Sequence, residues 1–197
     1  MGFQDGQTAV IVPVPAVEEA TSPWRGRFDT SAPFGVPAHV TIVFPFVPLP
    51  QLSTRDIVDL ASLFADEPAC TVDFARLARF AGAGGAADVL YLEPTPDGAF
   101  RRLTAALVSR WPQAPPYAGQ VADPTPHLTV TETAPADMVE AARVAVGAWL
   151  PITAHITVGC LLAFDGARWR VHTELPMGQA SAPRAGRSSR EGDSGET

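Results

Sequence analysis

The sequence has 197 residues and a formal charge of −7; 46% of the residues are hydrophobic, 18% are charged and 20 are prolines. That length predicts one domain, or two small lobes that fold together, with enough apolar surface for a core and many loops and strand edges. All 14 basic side chains are arginine, which excludes a lysyl-adenylate, a Schiff base and a GxxxxGK[ST] phosphate loop. No apolar run is long enough to cross a bilayer and no basic n-region leads into an apolar stretch, so a cytoplasmic protein with no membrane partner is expected.

In chain order, residues 8–15 (TAVIVPVP) alternate in hydropathy and predict a strand. A connector leads to a second strand over 38–46 (AHVTIVFPF), rich in β-branched and aromatic residues. Residues 53–67 follow helical spacing, with Ile57, Leu60, Ala61 and Phe64 on one face and Ser53 or Thr54 as the cap. Strands follow over 71–80 and 89–93, joined by a glycine-rich turn at 82–85. An amphipathic helix over 97–111 presents Phe100, Leu103, Leu107 and Trp111. Next come a strand over 127–133 and a helix over 135–150 with proline in its first turn. A long strand over 152–164 and another over 169–175 close the chain as a hairpin around Asp165-Gly166.

From residue 178 onward the chain is polar and low in complexity, which predicts a disordered tail following a single domain over 1–177. Arg184, Arg187 and Arg190 cancel Glu191, Asp193 and Glu196 there, so the folded part carries the net negative charge. An acidic body disfavours extended duplex nucleic acid but leaves room for one phosphate or one RNA end in a local pocket. The two cysteines, Cys70 and Cys160, lie in apolar strand contexts outside any CxxC pair. Reduced thiols are expected, with no clustered zinc site.

The two halves repeat the same order of elements. PAHVTIVF echoes TPHLTVTE, and FARLARF (74–80) echoes VGCLLAF (158–164). This predicts a duplicated α+β unit: a bilobal fold of two pseudo-symmetric lobes, each an antiparallel sheet with flanking helices, around a central cleft.

Three of the four histidines open a His-x-Thr triplet: His39-Val40-Thr41, His127-Leu128-Thr129 and His155-Ile156-Thr157. On a strand, residues i and i+2 share a face, so each triplet presents an imidazole beside a hydroxyl. Two such pairs facing each other supply a proton donor, a proton acceptor and two hydroxyls around one phosphorus. His39 and His127 hold equivalent places in the repeat. His155 aligns with Thr71 instead and reads as structural, as does His172. A histidine on a half-buried strand is commonly a satisfied structural residue; equivalence within a repeat is what singles out this pair.

The paired motifs resemble the two-histidine (2H) phosphoesterases, the superfamily that includes the 2′-5′ RNA ligase and RNA 2′,3′-cyclic phosphodiesterase proteins. The resemblance spans residues 8–177 and extends to Gly35-Val36-Pro37-Ala38 before His39, Pro115-Pro116-Tyr117 and Arg168-Trp169-Arg170, as in actinobacterial 2′-5′ RNA ligase family proteins. It implies metal-independent opening of 2′,3′-cyclic phosphates to 2′-phosphates, or the reverse 2′-5′ joining without ATP, with no cofactor. It also implies that His39 acts as general acid, His127 as general base, and Thr41 and Thr129 as phosphate ligands. The ligand would be a nucleotide or an RNA terminus bearing a cyclic phosphate, and the protein a monomer. The lack of lysine departs from relatives that bring several basic residues to the cleft. Phe44, Phe46 and Tyr117 are candidates for stacking on a base, with core packing the alternative. Arg25 and Arg27 are candidates for clamping a phosphate, with a solvated connector the alternative. A non-catalytic nucleotide- or RNA-end-binding protein that keeps this geometry is the competing reading.

Overall fold

The computed structural model describes residues 2–178 except 83, 85 and 122. The elements in chain order are β1 (Thr8–Pro13), α1 (Glu18–Phe28), β2 (His39–Val43), α2 (Thr54–Asp66), β3 (Cys70–Phe80) and β4 (Val89–Thr95). They continue with α3 (Gly98–Arg110), β5 (Leu128–Thr131), α4 (Ala136–Gly147), β6 (Ile152–Ile156), β7 (Val158–Phe164) and β8 (Trp169–Pro176). The strands form two four-stranded sheets, ordered β2-β1-β7-β8 and β5-β4-β3-β6. Every neighbouring pair is antiparallel. The fold is therefore α+β with two lobes built on one plan.

The duplication is visible with one refinement. β2 and β5, the two His-x-Thr segments, occupy matching edges. β3 belongs to the first half of the sequence but pairs with β4, while β7 belongs to the second half and pairs with β1. The first half thus lends β3 to the second lobe and the second half lends β7 and β8 to the first, and the equivalent heptapeptides ending in Phe80 and Phe164 fall in matching inner strands.

A continuous core joins both sheets and the helices. Val10, Val12, Val40 and Ile42 from one sheet meet Leu90, Leu92, Leu128 and Val130 from the other, with Phe64, Phe100 and Leu103 between them. A smaller cluster lies on the opposite face of the first sheet, where Ile11, Cys160, Leu162, Phe164 and Trp169 pack together. α2 begins with a capping box. The Asp56 amide donates to the Ser53 hydroxyl at 3.2 Å, and the Ser53 amide donates to the Asp56 carboxylate at 2.9 Å. Where α2 crosses β7, Gly159 is required by space: a Cβ there would lie 2.1 Å from Cε1 of Phe64.

Two expectations need correction. The connector after β1 holds a helix, α1. Its buried residues are Ala20, Thr21 and Arg25, and Pro23 lies inside it, so it shows no apolar stripe and reads as broken. The single strand expected over 152–164 is two strands that part at Thr157 and join different sheets. β6 pairs with β3, and β7 pairs with β1 and β8. No glycine or proline marks that crossing, so the β pattern runs through it. Gly178, the first residue of the expected tail, is tied to the folded body: its amide donates to the Glu67 carbonyl at 2.9 Å. Residues 179–197 lie outside the described residues. Cys70 and Cys160 are free thiols, and among the described residues no helix is long and apolar enough to cross a membrane.

Candidate active site

β2 and β5 carry their side chains alternately into the core and out of it. Val40, Ile42, Leu128 and Val130 are fully buried. The intervening His39, Thr41, His127 and Thr129 line one cavity of about 550 Å³ between the lobes. The period of two that pairs each imidazole with a hydroxyl is thus what aims both pairs at the same space.

The two histidines are held alike. His39 Nδ1 lies 2.8 Å from the carbonyl of Pro37, and His127 Nδ1 lies 2.8 Å from the carbonyl of Thr125. A carbonyl only accepts, so Nδ1 carries the hydrogen in both rings and Nε2 keeps its lone pair. The Thr41 hydroxyl donates to His39 Nε2 at 3.1 Å. The ring of His127 is set edge-on against Phe80 and Tyr91, with centroids 5.0 and 5.4 Å away.

Burial disfavours the imidazolium at both positions. It lowers His39 to about 4, opposed by the Pro37 carbonyl and assisted by the Arg25 guanidinium. His127 is also lowered by burial, against the Thr125 carbonyl and the nearby Glu132 carboxylate. Burial thus favours the neutral form of both rings near pH 7.

The segment leading into His39 is clamped from α1. Arg25 is 2% exposed and donates to Asp29 at 2.9 Å and to the Val36 carbonyl at 3.1 Å. Glu18 accepts the Ala38 amide at 2.9 Å. Residues 36 and 38 are thereby fixed on either side of Pro37, whose carbonyl sets the His39 ring. Arg25 does not line the cavity, and its fork is occupied by these internal partners. Arg27 is exposed, lies over the Phe28 ring at 5.1 Å and is likewise absent from the lining. Neither arginine expected as a phosphate clamp therefore reaches the cavity.

Of the aromatic candidates, Phe44 and Tyr117 line the cavity and Phe46 does not. Phe46 is buried edge-to-face on Trp111, with centroids 5.3 Å apart, so core packing claims it. Tyr117 sits in the left-handed region at φ 52, as does Ala118, and its amide donates to the Phe44 carbonyl at 2.7 Å. Burial and the nearby Glu132 raise its hydroxyl above the ordinary tyrosine value. A non-glycine residue held there is strained and persists only where its surroundings impose it.

Several lining residues escaped the sequence reading. Phe3 and Trp169 stand on the first lobe with Phe44, and Phe80 faces them from the second. The matched ends of FARLARF and VGCLLAF were a signal for Phe80, and the Arg168-Trp169-Arg170 match was one for Trp169; Phe3 had none. His155 lies outside the cavity, with Nδ1 2.9 Å from the Thr71 hydroxyl on the neighbouring strand. His172 is also absent from the lining; its Nδ1 lies 2.9 Å from the Thr173 hydroxyl. Among the described residues no group of three His, Cys, Asp or Glu side chains is placed to hold a metal ion.

Residues 13–168 match the model of the 2′-5′ RNA ligase superfamily. The chain belongs to that superfamily. Its fold is shared by E. coli LigT in apo form, with a TM-score of 0.55 at 18% identity over 90% of this chain and 100% of that one. LigT in complex with 3′-AMP gives 0.55 and 18% over 89% and 100%. The TT0787 protein of Thermus thermophilus gives 0.53 and 17% over 89% and 100%. Among curated proteins none matches the chain in sequence. The two-histidine fold and its cleft thus come with the superfamily, and the superfamily supports an enzyme.

Proposed function

We propose that the protein is a phosphoesterase that opens 2′,3′-cyclic phosphates, on a nucleotide or an RNA end, to 2′-phosphates by two-histidine acid/base catalysis. One observation carries the reading: two imidazoles, each with Nδ1 2.8 Å from the carbonyl two residues earlier, share a cavity with the hydroxyls of Thr41 and Thr129.

The chemistry balances with water as the only co-reactant. A neutral imidazole takes a proton at Nε2 from the attacking water as its oxygen bonds to phosphorus. The bond from phosphorus to the ribose 3′ oxygen breaks, and the second imidazole, protonated, gives its proton to that oxygen. The threonine hydroxyls donate to the non-bridging oxygens as their charge grows. Family resemblance assigns the acid to His39 and the base to His127. The substrate's negative charge favours the protonated form of the acid, opposing the effect of burial. With a 5′-hydroxyl in place of water as the nucleophile, the same steps form a 2′-5′ bond without ATP as the bond from phosphorus to the 3′ oxygen breaks and that oxygen is protonated. Nucleotides in LigT, among them 3′-AMP and NADP+, support a nucleotide in the equivalent cleft here.

The test is turnover of a nucleoside 2′,3′-cyclic phosphate with EDTA present, with the products separated against 2′- and 3′-phosphate standards. The 2′-phosphate alone, formed at a rate EDTA leaves unchanged, is the expected result. Tight binding without turnover would point to the binding-protein reading, and a 3′-phosphate product would refute the proposed geometry of attack.

A further inference from the structure

The cavity carries an unexpected charge for a site that takes an anion. Asp29, Asp123 and Glu132 line it, and among the described residues no arginine does. Two nearby arginines are outnumbered by their own partners. Arg25 lies between Glu18 at 3.7 Å and Asp29 at 2.9 Å. Arg101 is shared by Asp97 at 2.7 Å and Asp123 at 3.2 Å. Each trio retains one net negative charge. Glu132, which accepts the Thr30 hydroxyl at 2.5 Å, adds another. A cleft with apolar walls focuses such a field, and a Debye length of about 8 Å at physiological salt lets it act across the opening.

A single cyclic phosphate brings one negative charge, and the histidine and threonine pairs answer it. Every nucleotide added on its 5′ side brings another charge past the same carboxylates. The remaining space suits one nucleoside. Phe3, Phe44 and Trp169 form an apolar wall with ring centroids 5.2 to 6.3 Å apart, and a base stacked on such rings gains about 1–3 kcal/mol. The volume of about 550 Å³ falls in the range of roughly 300–1,000 Å³ that holds one small ligand.

We infer that the site selects a nucleoside 2′,3′-cyclic monophosphate over the same cyclic phosphate at the end of an oligonucleotide, with Glu132 and Asp123 as specificity-determining residues. This inference rests on the proposed function and narrows its substrate.

The experiment compares kcat/KM for adenosine 2′,3′-cyclic phosphate with that for a short oligoribonucleotide ending in the same group. It is run at low and high salt with wild type, Glu132→Gln and Asp123→Asn. Wild type is expected to prefer the mononucleotide by about tenfold or more at low salt. The ratio is expected to shrink as salt rises and to shrink at low salt in at least one variant. The salt series on wild type needs no substitution, so a folding defect cannot mask the result. Equal or better use of the oligonucleotide, or a ratio that ignores salt or ignores both variants, overturns the inference and leaves the proposed function standing. No turnover of either substrate overturns both.

Discussion

Acid is expected to destabilise the protein through its cavity histidines. His39 titrates at 6.5 in the unfolded chain and at about 4 in the native state, because burial penalises the imidazolium. Between those values the unfolded chain binds a proton that the native state refuses. The stability is therefore complete above pH 6.5 and is lost as pH falls towards 4. At about 1.4 kcal/mol per unit, the full shift corresponds to ~3 kcal/mol. The ring meets water through the cavity, which reduces the contribution to ~1–2 kcal/mol. The perturbation is His39→Gln, whose amide can still donate to the Pro37 carbonyl but does not titrate. Urea denaturation at about pH 7 and about pH 4.5 reads the difference. Wild type is expected to lose ~1–2 kcal/mol more than the variant across that interval. The depressed carboxylates Asp56 and Asp165, both at about 2, titrate below that interval and are common to both proteins. Equal pH slopes in the two proteins would refute the claim that burial holds this imidazole neutral.

Other substitutions probe packing and positioning. Gly159→Ala, forced to place a Cβ 2.1 Å from Phe64, is expected to cost about 2–3 kcal/mol in denaturant unfolding. Gly147→Ala, with open space at its Cβ, is expected to be neutral or to stabilise by up to about 1 kcal/mol. Arg25→Met leaves the Asp29 carboxylate buried without its partner and is expected to destabilise by about 3–5 kcal/mol. Arg25→Lys retains the charge but loses the fork to Asp29 and Val36, so kcat is expected to fall more than KM rises if the clamp positions His39. Tyr117→Gly relieves a left-handed residue at φ 52 but also removes a largely buried ring, and it is expected to raise KM; an unchanged KM would remove Tyr117 from the site.

Much of this architecture is legible in the sequence because β strands write their faces into a period of two. The alternation in HVTIV and HLTVT marks both core and cavity sides, and the repeat marks which two of the three His-x-Thr triplets belong together. Helix α1 is illegible for a physical reason: its buried positions are alanine, threonine and an ion-paired arginine, which present no apolar stripe. The same helix explains why Arg25 misleads. An arginine ahead of a His-x-Thr motif suggests a clamp on substrate, yet Glu18 and Asp29, from either end of the helical segment, occupy it internally. The crossing at Thr157 is silent because two strands of different sheets follow one another with no turn residue between them. The aromatic wall is non-local, assembled from Phe3, Phe44 and Trp169, and its parts carry no shared local pattern.

The central claim is that His39 and His127 act together on one phosphodiester. Its most direct measurement is single-turnover hydrolysis of a nucleoside 2′,3′-cyclic phosphate by wild type, His39→Ala, His127→Ala and the double variant. Each single variant is expected to lose about 10²–10⁴-fold in rate, and the double variant little more than either, as for groups that act as a unit. Either single variant retaining wild-type rate would contradict the account.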